Sequence, residues 1–182
     1  MDIDIFAKDP FLSFYYANYK RGLDSDECKQ FLVEVRDILN KKNIDHFLLF
    51  GTLLGAYREN DFIKHDRDID IGMFIESKED LESLILDGAF AEKGIQFFKD
   101  RSYSLCKGNV YMDIYPFTMD GDEYRSLLGW NDNFRLNPKY FPTQEIEFLG
   151  EKFLTVSNIE DYLVEKYGKD WRTPVEGISA SS

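Results

Sequence analysis

The sequence predicts an α+β (α/β-like) domain: a mixed β-sheet flanked by helices. Three observations predict it. Helical apolar periodicities and short alternating runs interleave along the chain, the pattern of helices layered on a sheet. The 182 residues suit one domain, and no linker or repeat divides them. Hydrophobic residues make up 43 % and include 16 Phe and 11 Tyr, enough for a packed core.

Residues 1–23 are expected to form an aromatic-rich arm or helix (FLSFYYANYK over 11–20), and residues 24–174 a single domain. Asp24 with Glu27 has the capping-box pattern of a helix start. Phe31, Leu32, Val35, Ile38 and Leu39 then fall on one face of a helix ending near Asn43. Ile44–Phe50 reads as a buried strand, followed by Gly51-Thr52 and a short helix over Leu53–Arg58. Residues 61–67 are a polar loop. Asp68–Ile75 alternates as a strand. Ser77 with Asp80 caps a helix running to Ala89. Strands are predicted at 94–99, 102–106 and 109–117, and a turn at Asp120-Gly121-Asp122. Residues 129–143 read as irregular. Ile146–Phe148 and Lys152–Val156 form a hairpin around Leu149-Gly150-Glu151. Ser157 with Glu160 starts a last helix to Tyr167, with Gly168 at its stop. Residues 175–182 read as a flexible tail.

Lys+Arg 22 against Asp+Glu 34 leave a net charge of −12. Such a balance argues against a long nucleic acid, whose phosphates need a basic footprint. A single nucleotide stays open, because a metal ion can carry the positive charge. The two cysteines, Cys28 and Cys106, form no CxxC, so neither a disulfide scaffold nor a zinc site is expected. This points to a reducing, cytoplasmic compartment. No signal-peptide pattern and no apolar run of membrane-spanning length is present.

The chemistry concentrates in residues 50–73. Asp68 and Asp70 project from one face of a strand, while Ile69 and Ile71 project from the other into the core. Side-by-side carboxylates need a cation between them. Mg²⁺ suits this, since it takes one or two carboxylates, waters and substrate phosphates. An acidic surface strand is the plainer reading, and the flanking isoleucines argue against it. Asp66 extends the acidic run. Asp113, a lone acid in the apolar strand VYMDIY, also needs a partner, either the metal or a Lys or Arg. Three carboxylates on adjacent strands can hold two metals about 3.5–4 Å apart. Gly51-Thr52, between strand and helix, reads as a phosphate cradle. Arg58, Lys64 and Arg67 are cations that either clamp phosphate or neutralise the acids. His65 abuts the acidic run as a proton carrier or a partner of a ligand. His46, Cys28 and Cys106 read as structural. Trp130, Tyr140 and Phe141 either stack on a sugar or base or pack in the core.

Strand, Gly-Thr, helix, then Asp68 and Asp70 on a second strand with a later Asp113 resembles the nucleotidyltransferase fold of the polymerase-β superfamily. Within it, GTLLGAYREND-FIKHDRDIDIGM resembles the LicD-type phosphotransferases, relatives of fukutin and fukutin-related protein. YMDIYPF over 111–117 is similar to that family's third-aspartate strand, and Phe141-Pro142 through Trp171 to its carboxyl-terminal block. The resemblance covers residues 28–174. Arg67 interrupts the acidic stretch, and His65 stands where the family often has Trp.

The resemblance implies a Mg²⁺-dependent enzyme, with one or two ions and Mn²⁺ as a substitute. It implies transfer of a phospho-alcohol such as phosphocholine from a CDP-alcohol to a hydroxyl of a surface glycan, with release of CMP. Asp68, Asp70 and Asp113, with Asp66, would hold metal, and Asp113 would also be the general base. Gly51, Thr52 and Arg58, with Lys64 and Arg67, would meet donor phosphate. Two other readings stay open, since fold does not fix function. One is a nucleotidyltransferase moving NMP from an NTP to a small molecule or protein. The other is a non-catalytic binding module.

Overall fold

The computed structural model describes residues 23–99, 103–128 and 135–174. Most of the expected arm, the tail over 175–182 and Trp130 lie outside the described residues. Helix α1 (Ser25–Lys41) starts as expected: the Asp24 carboxylate caps it by accepting from the Glu27 N–H at 3.1 Å. Its apolar stripe, from Cys28 to Leu39, is buried.

Strand β1 is only His46–Leu48. Helix α2 (Phe50–Glu59) begins three residues earlier than predicted, so Gly51 and Thr52 are its first turn rather than a preceding loop. The cause is tertiary. Leu49 N–H pairs with the Asp70 carbonyl, Phe50 takes φ 42°, and the chain turns straight into the helix. Strand β2 (Ile69–Phe74) follows a loop through residues 61–67. Ser77 caps α3 (Lys78–Leu86) by accepting from Asp80 N–H. The predicted helix to Ala89 breaks at Gly88, φ 98°, and restarts as α4 (Ala89–Glu92).

Strands β3 (Gln96–Lys99), β4 (Tyr103–Lys107) and β5 (Val110–Asp120) form a meander. β5 extends past the predicted end at 117 and hairpins into β6 (Glu123–Ser126), which pairs with β7 (Arg135–Leu136). A 3₁₀ turn at Pro138–Tyr140 lies in the stretch read as irregular. The hairpin of β8 (Gln144–Phe148) and β9 (Glu151–Thr155) turns on Leu149 (φ 53°) and Gly150 (φ 77°), the two positive φ values of a type I′ turn. Helix α5 (Ile159–Tyr167) starts at Asn158, not Ser157. The Ser157 hydroxyl donates instead to the Lys139 carbonyl.

The described strands form one mixed sheet, ordered β3-β4-β5-β2-β1-β9-β8, with β6 and β7 extending from β5. β2 pairs parallel with β5 and antiparallel with β1. Ile69, Ile71 and Met73 lie opposite Met112, Ile114 and Pro116 and share one face, while Asp70 and Asp113 share the other. No helix among the described residues is long and apolar enough to cross a membrane.

Candidate active site

Asp70 sits directly opposite Asp113 in the parallel β2–β5 ladder, and Asp68 stands one residue before β2. Each of the three offers a carboxylate oxygen, and these oxygens lie within 4.8 Å of one another. Asp70 is 6 % exposed, and Asp68 and Asp113 are half-buried. Burial, then the charges of Asp68, Asp66 and Asp113, hold the Asp70 carboxyl well above the ordinary carboxylate range. Burial and the neighbouring Asp66 push Asp68 up to about 7. Asp66 is also raised by burial, with Arg67 acting against the rise. Such a crowd of acids is destabilising when only protons neutralise it. The donors are all hard oxygens, with no sulfur or imidazole among them, so they fit a hard divalent cation such as Mg²⁺ or Mn²⁺.

The first turn of α2 secures this arrangement. Gly51 N–H donates to Asp70 Oδ2 at 3.1 Å, and Asp70 N–H donates to Thr52 Oγ1 at 2.8 Å. The anion that the helix N-terminus meets here is therefore the Asp70 carboxylate. Gly51 leaves room for the acids: a Cβ there would stand 2.2 Å from Asp66 Oδ2, so that carboxylate would have to shift, and 3.4 Å from Asp70 Oδ2. Thr52 is buried, and its hydroxyl fixes the backbone of Asp70.

The expected cations are distributed. Arg67 and Lys64 are exposed on the loop before β2, beside exposed His65. Arg67 N–H caps Asp66 Oδ1 at 3.1 Å. The Arg58 guanidinium is engaged by Glu59 and by the Trp171 carbonyl, tying α2 to the segment after α5. His46 is buried with Nδ1 2.9 Å from the Ile44 carbonyl oxygen, and burial lowers its pKa, as suits a structural residue. Both cysteines are buried, and burial pushes each thiol up to about 12, as suits core thiols rather than thiolate nucleophiles. Tyr140 is buried with its hydroxyl on Glu165, and Phe141 packs edge-on against Phe47, Phe74 and Tyr124, so both are packing residues.

Sequence reasoning missed the hydroxyls around the acids. Asp113 Oδ1 accepts from Ser104 Oγ at 2.8 Å and Tyr111 Oη at 2.6 Å, where a Lys or Arg was the alternative partner. Tyr115, packed on Phe50, hydrogen-bonds Asp70, and its own ionisation is suppressed by burial and the Asp70 charge. The ionisation of Tyr167 of α5 is suppressed in the same way, by burial and then the charges of Asp70, Asp66 and Asp68. Tyr111 and Tyr115 share the Asp113 face of β5, so their spacing was a usable signal. Ser104 had none, because its position depends on strand register.

Residues 43–155, which contain every carboxylate of this site, match the family model for the LicD/FKTN/FKRP nucleotidyltransferase domain. The chain belongs to the LicD family. Among curated relatives, human ribitol-5-phosphate transferase FKTN is 29 % identical over 165 residues, 82 % of this chain and 34 % of that protein. The uncharacterized protein RP689 of Rickettsia prowazekii (strain Madrid E) is 33 % identical over 124 residues, 65 % of this chain and 46 % of that protein. The chain thus spans between a third and a half of the length of these relatives. Among solved structures, the antibiotic-resistance factor ANT(2'')-Ia aligns with a TM-score of 0.56 at 13 % identity, over 78 % of this chain and 71 % of its own. The lincosamide antibiotic adenylyltransferase LnuA aligns with a TM-score of 0.50 at 16 % identity, over 79 % of this chain and 85 % of its own. These likenesses establish the nucleotidyltransferase fold in this LicD-family chain.

Proposed function

We propose that this LicD-family chain is a metal-dependent transferase that moves a phospho-alcohol from a CDP-activated donor to a hydroxyl of a glycan. The observation that carries the reading is the convergence of Asp68, Asp70 and Asp113 oxygens within 4.8 Å, inside the family-matched region. The name of the relative FKTN, a ribitol-5-phosphate transferase, supports the class of group moved. Asp68, Asp70 and Asp113, with Asp66 beside them, would hold one or two Mg²⁺ ions, with Mn²⁺ as a substitute. When bound, such an ion neutralises the donor diphosphate and the charge that builds in the transition state.

The chain's own groups do the rest. Asp113 accepts the proton of the attacking hydroxyl. The hydroxyl oxygen forms a new bond to the β-phosphorus in line with the breaking bond, and CMP leaves with that bond's electron pair. Exposed Lys64 and Arg67 meet the donor phosphates. Gly51 and Thr52 serve the donor through the position of Asp70, and Arg58 through the junction of α2 with the segment after α5.

The test incubates the protein with Mg²⁺, an oligosaccharide acceptor from a bacterial surface glycan, and CDP-choline, CDP-glycerol or CDP-ribitol in turn. CMP and a phosphodiester-linked product are expected with one of them, and neither with Asp68→Asn. Pyrophosphate from CTP or ATP, without CMP from any CDP-alcohol, would replace this reading by nucleotidyl transfer.

A further inference from the structure

Asp113 differs from the other acids of the site in how it is held. Its Oδ1 takes two side-chain hydroxyls at once, Ser104 Oγ at 2.8 Å and Tyr111 Oη at 2.6 Å. The two hydroxyls also touch each other, Ser104 Oγ donating to Tyr111 Oη at 3.1 Å in one arrangement of their protons. Three strand positions produce this triangle. Ser104 on β4 is the cross-strand partner of Asp113, and Tyr111 lies two residues before it on the same face of β5. Ser104 is 1 % exposed and Tyr111 7 % exposed, so these contacts are shielded from competing water.

The group that converges with Asp68 and Asp70 is the carboxylate that these hydroxyls hold. We propose that Ser104 and Tyr111 are positioning residues: by gripping Oδ1 they fix the Asp113 carboxylate toward Asp68 and Asp70, and so set the affinity of the cluster for its divalent cation. The inference rests on the metal-site reading above. Asp113 lies on β5, whereas Asp70 lies on β2 and Asp68 just before it, so its orientation cannot be inherited from theirs. A carboxylate free to rotate about its χ angles would lose part of its time in the productive geometry, and partners behind a ligand typically set affinity by ~10–100-fold.

The experiment titrates Mn²⁺ alone into metal-stripped wild type, Tyr111→Phe, Ser104→Ala, the double variant and Asp113→Asn by calorimetry. Thermal unfolding in EDTA is run in parallel. Tyr111→Phe keeps the buried ring, and Ser104→Ala removes one atom, so the two are independent routes to the same answer. Each single variant is expected to weaken Mn²⁺ binding by about 10-fold. The double variant is expected to lose less than the product of the two, because both grip one oxygen. In turnover, raising Mn²⁺ should restore the rate of the single variants and not that of Asp113→Asn. If Asp113→Asn binds Mn²⁺ weakly while both single variants bind within twofold of wild type, the positioning role is overturned and the metal site stands. Undiminished binding by Asp113→Asn itself would overturn the site reading instead. A drop in thermal stability with unchanged Mn²⁺ affinity would make both hydroxyls merely structural and overturn the proposal.

Discussion

Asp70 is where the contacts of the site meet: Gly51 N–H on its carboxylate, Thr52 Oγ1 on its N–H, Asp113 opposite it, and Tyr115 beside it. Thr52→Val keeps the shape and removes the acceptor for the buried Asp70 N–H. It should destabilise the fold by about 1–3 kcal/mol in urea unfolding, while Thr52→Ser should stay near wild type. Asp70→Asn should lower turnover at least ~100-fold, the rate equivalent of a few kcal/mol of lost charge stabilisation, without loss of fold. In EDTA it should unfold no lower than wild type, because it relieves repulsion among buried acids. The acid pair was legible because a strand's period of 2 separates Asp68 and Asp70 from Ile69 and Ile71. Asp113 was legible as a lone acid among apolar neighbours. The grip of Ser104 on it was not, since nothing local to Ser104 announces which strand will lie across from it.

At the scale of elements, the site depends on how closely β1, β2 and α2 approach. Gly72 on β2 faces Phe47 on β1, and a Cβ there would lie 2.5 Å from the Phe47 ring and 2.8 Å from Leu49 Cδ1. Both neighbours are fully buried and cannot yield cheaply. Gly72→Ala should therefore cost about 1–3 kcal/mol by overpacking, seen as a lower urea midpoint at unchanged m-value. The helices with capped starts and apolar stripes, α1 and α3, could be read from local pattern alone. The start of α2 could not: Phe50 in the left-handed region is held by the pairing of Leu49 with β2 and by the Asp70 carboxylate. β6 was hidden for a similar reason. Glu123–Ser126 is polar and short, and it becomes a strand by pairing with the extended end of β5.

At the scale of the molecule, a net charge of −12 surrounds a cluster of acids that a cation would neutralise. The pH dependence of stability follows. Folded Asp68 keeps its proton up to about pH 7, and an unfolded aspartate releases it near pH ~4. Between these values the folded chain binds more protons than the unfolded one, so this contribution to stability falls as pH rises through the window and is constant above it. In EDTA, wild type should lose melting temperature relative to Asp68→Asn from about pH 4 to about pH 7, and saturating Mg²⁺ should remove the difference in slope. The most direct single measurement is thermal unfolding at pH 7.5 with Mg²⁺ and each CDP-alcohol, in wild type and Asp70→Asn. A donor at 100 times its Kd adds about 2.7 kcal/mol, about 5–10 °C for a domain of this size. That shift is expected with one CDP-alcohol, only with Mg²⁺ present, and none in Asp70→Asn. An equal shift in Asp70→Asn, or a shift with nucleoside triphosphates and with no CDP-alcohol, would contradict it.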